Sequence, residues 1–65
     1  MEEKFNNIYS SVFDEKGNVK NCGREMCREL IRIANTIEPG TKHGDLETGF
    51  MHEQTMTRLY KKLHE

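Results

Sequence analysis

The stretch that decides the fold is residues 23–37, GREMCRELIRIANTI. At a helical period its apolar side chains gather on one side, at Met26, Leu30, Ile33, Ala34 and Ile37. Arginine recurs on another side at every fourth position, at Arg24, Arg28 and Arg32. The pattern predicts an amphipathic helix with a buried apolar stripe. The three arginines, called the arginine ridge below, are predicted to face solvent.

The ends of this helix are also marked in the sequence. Asn21 is a good N-cap residue because its side-chain oxygen can accept a hydrogen bond from a free backbone amide of the first turn. Pro39 and Gly40 follow soon after Ile37, and neither residue type continues a helix readily. We therefore expect the central helix to span residues 23–37.

Residues 2–16 carry the pattern of an earlier helix. Glu2 and Glu3 suit the positive end of a helix dipole, and Gly17 can take the left-handed conformation that often follows a helix. The apolar positions are spaced as on a core-facing stripe: Phe5, Ile8, Tyr9, Val12 and Phe13. The alternative is a β-hairpin around residues 12–19, where β-branched and aromatic residues flank a turn-forming cluster.

A further helix is predicted for residues 52–65. Its apolar face comprises Met56, Leu59, Tyr60 and Leu63, and the opposite face carries Arg58, Lys61 and Lys62. Cations near the C-terminal end of a helix are favoured by the helix dipole.

The segment between the second and third helices, residues 38–49, is predicted as a long loop. It contains three of the five glycines and a single large apolar residue, Leu46. We expect Leu46 to hold the middle of the loop against the core. Phe50 and Met51 are expected to pack where the chain enters the last helix.

These elements predict an all-α fold, one domain of residues 1–65 with three helices around a small core and a long loop between helices 2 and 3. The alternative is a β-hairpin followed by two helices. A chain of 65 residues with 34% apolar residues builds only a small core, which favours stabilisation by association. With 32% charged residues and a net charge of −1, overall charge indicates no particular partner.

The sequence carries no stretch long and apolar enough for a membrane span and no secretory signal, so we expect a cytoplasmic protein without a membrane partner. Cys22 and Cys27 lie five residues apart. On one continuous helix they would be too far apart to bridge, and we expect free thiols.

No complete catalytic or metal-binding motif is present. Cys22 lies near the predicted start of a helix, where thiols become reactive, but no general base accompanies it. His52 and Glu53 begin like a zinc-protease signature, but the second histidine would fall at Met56. We therefore expect no enzyme activity, no metal and no cofactor.

The pattern favours a small protein-interaction module, an adaptor, inhibitor or regulator that binds another protein or a second copy of itself. Ile31 falls on the arginine side of the predicted helix and is an apolar residue left over from the core. The predicted contact set is Arg24, Arg28, Ile31 and Arg32, with His43 and Tyr60 at its rim.

The alternative function is nucleic-acid binding by the arginine ridge together with Arg58, Lys61 and Lys62. Basic side chains in register on a helix face can follow a phosphate backbone. The acidic net charge and the long predicted loop, which exceeds the turn of a helix-turn-helix, make this alternative the weaker one.

Overall fold

A computed structural model describes residues 1–21 and 23–65 of the chain. These residues form three helices and one two-stranded hairpin. In chain order the elements are α1 (Glu2–Val12), α2 (Arg24–Ile37), β1 (Gly44–Asp45), β2 (Phe50–Met51) and α3 (Glu53–Leu63). The fold is mostly helical, and the predicted long loop between α2 and α3 contains an antiparallel hairpin instead. None of the described helices has the length and apolar content needed to cross a bilayer.

The first helix ends at Val12, several residues before the predicted end at Lys16. Phe13 takes an extended conformation and forms an isolated antiparallel bridge with Val19. Residues 2–12 are thus helical as predicted, and the alternative hairpin at residues 12–19 is present only as the single bridge between Phe13 and Val19. The apolar stripe is helical through Val12, and the turn-forming cluster begins directly afterwards.

The turn after α1 is organised by Asp14. Its Oδ1 accepts hydrogen bonds from the backbone amides of Lys16 and Asn18, each at 2.9 Å. Gly17 has a φ of +84°, as its position after the predicted helix suggested, but it serves this turn and not a helix end. A carboxylate that bonds to backbone amides a few residues ahead competes with helix continuation, which explains the early end of α1.

The central helix α2 begins at Arg24, with Gly23 as the N-cap, so the prediction of Asn21 as the N-cap is wrong. Its end at Ile37 is as predicted, because Glu38 leaves the helical conformation before Pro39.

The core contains residues from the three helices and from β2, together with Phe13. Its buried apolar side chains are Phe5, Tyr9, Val12, Phe13, Cys27, Leu30, Ile31, Ile33, Ala34, Met51, Met56 and Leu59. On α2 the buried face differs from the predicted stripe: Met26 is 37% exposed, whereas Cys27 and Ile31 are fully buried. The buried stripe is therefore rotated toward the arginine side of the helix. The hairpin causes this rotation because it packs on that side of α2, whereas α1 packs on another.

The hairpin pairs Gly44 with Met51 and Asp45 with Phe50. Met51 is buried and Phe50 is 67% exposed, since neighbouring residues of a strand face opposite sides. The predicted packing is therefore confirmed for Met51 and wrong for Phe50. The predicted anchoring by Leu46 is also wrong, because Leu46 lies in the turn and is 38% exposed.

The turn between the strands is held by Asp45. The backbone amide of Glu47 donates to Asp45 Oδ1 at 2.9 Å, and this hydrogen bond lowers the pKa of the Asp45 carboxyl. The amide of Gly49 donates to the Asp45 carbonyl at 2.8 Å. These bonds stabilise the reversal of the chain, so the glycine-rich segment is ordered.

Contact between the hairpin and α2 requires glycine at position 44. A Cβ at Gly44 would lie 2.5 Å from the Phe50 carbonyl oxygen and 2.7 Å from Ile31 Cδ1. Both distances are shorter than a Cβ contact allows. The missing side chain lets the strand lie directly on Ile31, which buries that isoleucine.

We predict that Gly44→Ala destabilises the fold by about 2 kcal/mol, because the added methyl group forces the hairpin away from α2. Gly23→Ala is the matched control, since a Cβ there meets no atom within 4 Å. Its cost should stay below about 1 kcal/mol. Urea denaturation followed by circular dichroism measures both. Equal destabilisation by the two substitutions would contradict close packing at Gly44.

Candidate functional site

Two members of the arginine ridge lie against the hairpin turn. Arg24 Nη2 donates to the Glu47 carbonyl oxygen at 2.9 Å. The side-chain stems are close to the turn, because a Cβ at Gly49 would lie 3.3 Å from Arg24 Cγ and 3.5 Å from Arg28 Cγ. Arg24 remains exposed, and the side chain of Arg28 is 37% exposed. The first half of the ridge therefore lies beside the hairpin turn.

The third member of the ridge is engaged within the molecule. Arg32 Nη1 donates to Glu29 Oε1 at 2.7 Å, and Lys4 of α1 lies 3.1 Å from the other oxygen of Glu29. The Arg32 side chain is still 61% exposed. An exposed pair of this kind contributes little to stability and can be exchanged for a partner's carboxylate.

Ile31, the apolar member of the predicted contact set, is not at the surface. It is fully buried under the hairpin, as described above. Its removal from the contact set is a correction with a clear physical cause. Helical periodicity places Ile31 on the arginine side, but that side is covered by a second layer of chain.

His43, predicted at the rim of the contact surface, is also fully buried. Its Nδ1 lies 2.9 Å from the side-chain oxygen of Asn35, and its Nε2 lies 3.1 Å from Glu38 Oε1. Because an ionised carboxylate can only accept hydrogen bonds, the imidazole N–H at Nε2 is the donor in the hydrogen bond with Glu38. His43 thus joins the hairpin to the end of α2, and it is not available to a partner.

Glu38 is the centre of the tightest group of ionisable side chains among the described residues. Arg58 donates to both of its carboxylate oxygens, with Arg58 Nη1 at 3.1 Å from Oε2. Lys62 Nζ lies 3.4 Å from the same Oε2. Together with His43, these contacts link the end of α2, the start of the hairpin and α3. We call Glu38, His43, Arg58 and Lys62 the Glu38 cluster.

The Glu38 cluster shifts the titration of its central carboxyl group. The hydrogen bonds from Arg58 are the largest cause, and His43 and Lys62 add to them, so the pKa of Glu38 falls from 4.5 to about 2. Only 15% of the Glu38 side chain is exposed, which limits screening by water. Glu38 therefore remains ionised over almost the whole pH range in which proteins fold.

The Glu38 cluster also affects the nucleic-acid alternative. Arg58 and Lys62, two of the three cations assigned to that surface on α3, already bind a carboxylate of the same molecule. Arg32 on the arginine ridge does the same with Glu29. Less free positive charge is therefore available to a phosphate backbone than the sequence indicated.

Tyr60 is partly exposed and belongs to a stack of aromatic rings. Its ring centroid lies 4.0 Å from that of Tyr9, which in turn stacks on Phe13 at 4.4 Å. His64 lies on Tyr60 with centroids 4.2 Å apart. Tyr60 also lines an open groove between the turn after α1 and α3.

The feature of the surface that the sequence did not indicate is Phe50. Its ring is more exposed than any other aromatic ring among the described residues, and it meets the His52 ring edge-on, with 5.9 Å between centroids. The alternation between Phe50 and Met51 would reveal its orientation, but only after residues 44–51 are recognised as a hairpin.

The cysteine predictions have separate outcomes. Position 22 lies outside the described residues, so the weak prediction of a reactive thiol there has no structural outcome. Cys27 is fully buried and disulfide-bonded, so the expectation of a free thiol at that position is wrong. That expectation assumed one continuous helix over both cysteines, whereas α2 begins at Arg24.

Comparison with known proteins adds no functional assignment: no protein-family model, no curated protein and no solved structure matches this chain.

We predict that Glu38→Gln lowers the free energy of unfolding by about 1–2 kcal/mol at neutral pH, because three partners lose a shared negative charge. The difference between wild type and variant should shrink as pH falls from 4.5 toward 2. The Glu38 carboxyl is protonated more readily in the unfolded chain, so acid removes its stabilising contribution. Urea denaturation at a series of pH values measures both effects.

The matched control is Glu25→Gln, which removes the same charge from a side chain that is 95% exposed and 3.9 Å from Arg28. Its effect should be below about 0.5 kcal/mol and should not depend on pH in this range. If the two variants proved equally stable, the Glu38 cluster would not have the role assigned to it.

Proposed function

We propose that this chain is a non-catalytic protein-interaction module whose contact surface is formed by the hairpin and the adjoining end of α2. The observation that carries the proposal is Phe50, an aromatic ring 67% exposed on a hydrogen-bonded strand. Exposed aromatic side chains on rigid backbone lose little entropy when a partner covers them, and they are frequent among the residues that dominate binding energy.

The surroundings of Phe50 support a protein partner. Gly49, the preceding residue, borders the stems of Arg24 and Arg28, so an exposed ring and two guanidinium groups lie around one hairpin turn. Leu46, in the same turn, adds exposed apolar surface. Aromatic and arginine side chains are enriched at the centres of protein interfaces, whereas lysine and glutamate are depleted there.

The proposed contact surface replaces the one predicted from the sequence. Phe50 and Leu46 take the place of Ile31 as its apolar part. Arg24 and Arg28 remain at its centre, and Arg32 remains at its edge, where a partner's carboxylate would compete with Glu29.

We propose a non-catalytic module because the most closely packed ionisable side chains, those of the Glu38 cluster, hold parts of the fold together. The Glu38 cluster connects three elements, and each of its basic groups is directed at the same carboxylate. An adaptor or regulator that binds another protein, or a second copy of itself, requires an exposed contact surface and no catalytic groups.

We predict that Phe50→Ser abolishes capture of the partner from extracts of the native cells and weakens the purified complex by about 30-fold, as expected for an aromatic residue at the centre of an interface. Quantitative mass spectrometry of the captured proteins gives the first result and calorimetry the second. Size measurement over a concentration series detects self-association by the same surface.

Met26→Ser is the matched control, because Met26 is also exposed, at 37%, but lies on α2 away from the hairpin side. Both substitutions should leave thermal unfolding within a few degrees of wild type, since each removes little buried area. Retention of every captured protein and of the oligomeric state by Phe50→Ser would refute the proposed contact surface.

A further inference from the structure

The first turn of α2 begins without a side-chain cap. Gly23 is the N-cap residue, and the cap makes no side-chain hydrogen bond. The backbone amides at the start of a helix have no partner within the helix, and a side-chain cap normally offsets this cost. A Cβ at Gly23 would meet no atom within 4 Å, so packing does not hold the cap in place either. A helix start of this kind frays unless another contact holds it.

Cys27 lies at the end of this turn and is held by a disulfide. Its backbone amide donates to the Gly23 carbonyl oxygen at 3.0 Å, which closes the turn. Its side chain is fully buried, and its sulfur is disulfide-bonded. The sequence contains two cysteines, so within one molecule the bond to Cys27 closes a loop over residues 22–27. A bond across so short a loop restricts the backbone that the missing cap leaves free.

The same turn carries a residue of the proposed contact surface. Arg24, the first residue of α2, donates from Nη2 to the Glu47 carbonyl oxygen at 2.9 Å. Its stem also lies against the hairpin turn, where a Cβ at Gly49 would be 3.3 Å from Arg24 Cγ. Arg24 thus connects the first turn of α2 to the residue that precedes Phe50. If that turn frays, the hairpin turn loses this support.

From these observations we propose that a disulfide between Cys22 and Cys27 is a redox switch for the contact surface. With the bond intact, the first turn of α2 is helical and Arg24 supports the hairpin turn. With the bond reduced, the first turn frays, and the hairpin turn next to Phe50 is no longer held in one position. The inference rests on the proposed function, because it concerns the regulation of the same surface.

The reductant is a cellular dithiol of the kind that reduces protein disulfides. Cys27 is fully buried, so a thiolate of the dithiol attacks the other sulfur of the bond, and Cys27 leaves as a thiolate that takes up a proton. The second thiolate of the dithiol then attacks the mixed disulfide and releases the other cysteine, which is also protonated. The dithiol is oxidised to a disulfide, and both cysteines of the protein end as thiols.

The state of the switch follows from the surroundings of the protein. Disulfides persist in oxidising compartments, whereas dithiols keep most of them reduced in the cytosol. The contact surface is therefore ordered under oxidising conditions and loosened under reducing ones.

The test is hydrogen exchange of the purified chain with and without dithiothreitol, followed by mass spectrometry. Without reductant the protein should be a single chain that is two hydrogen atoms lighter than the reduced chain. Reduction should speed exchange at least about tenfold in residues 24–28 and about threefold in residues 45–50, because both segments open locally more often. The exchange rates of α3 should not change.

Cys22→Ser is the matched control for the reductant, because it removes the disulfide and leaves the buried Cys27 side chain in place. It should exchange as the reduced chain does, with or without dithiothreitol. Gly23→Asp supplies a side-chain cap and a negative charge at the positive end of the helix dipole. In the reduced chain it should slow the exchange of residues 24–28 at least about twofold.

Four results would overturn the proposal. They are equal exchange of the oxidised and reduced chains, acceleration over the whole chain including α3, no slowing by Gly23→Asp, and a disulfide that joins two copies of the chain.

Exchange measurements need no partner, so their result is separate from that of the proposed function. Capture from extracts of the native cells, with the oxidised chain and with Cys22→Ser, then connects the two. Cys22→Ser should capture at least about threefold less, because binding falls with the fraction of molecules whose contact surface is ordered. If Phe50→Ser loses the captured proteins and Cys22→Ser retains them all, the contact surface stands and the redox switch is refuted. If Phe50→Ser retains them all while exchange responds to dithiothreitol, the contact surface is refuted and the disulfide-dependent turn of α2 is supported.

Discussion

The arrangement of this molecule depends on the carboxylate of Glu38. It lies at the C-cap of α2, where the helix dipole presents its negative end and an acidic side chain is unfavourable by itself. Arg58, Lys62 and His43 offset this cost, and they come from α3 and from the start of the hairpin. One carboxylate thereby holds three elements in fixed relation. The lowered pKa of Glu38 is the thermodynamic expression of the same contacts.

The Glu38 cluster lies at one end of a two-sided packing around α2. The first helix covers one side, and the hairpin covers the side that contains Ile31. A chain of this length has few apolar side chains, and packing on two sides of the central helix buries more of them than packing on one side would. Burial of His43 belongs to the same arrangement, because the hairpin can approach α2 only if the imidazole ring finds polar partners inside. Asn35 and Glu38 provide them.

Some charged side chains form ion pairs within the molecule, and others are exposed and open to a partner. Glutamates on α2 pair with nearby cations, including Lys4 of α1, so much of the arginine ridge serves the molecule itself. Two groups of exposed side chains among the described residues follow from the fold. Phe50 and the nearby arginines border the hairpin turn, and exposed lysines border the groove between the turn after α1 and α3. Both groups are consequences of turns held by an aspartate, Asp45 in the first case and Asp14 in the second.

The sequence by itself determined the three helical segments and the end of the central one, because apolar periodicity and Pro39 act locally. It also determined that Leu30, Ile33, Met56 and Leu59 are buried, since each lies at the middle of an apolar stripe. Only the tertiary structure decided whether Ile31, His43 and Phe50 are buried or exposed. The hairpin at Gly44 buries Ile31 and His43 and leaves Phe50 exposed. Its strands have only two residues each, too few for an alternation of apolar and polar residues to be recognised in the sequence. The Glu38 cluster was likewise decided by tertiary structure, because Glu38 and Arg58 are twenty residues apart and meet only after α3 has packed.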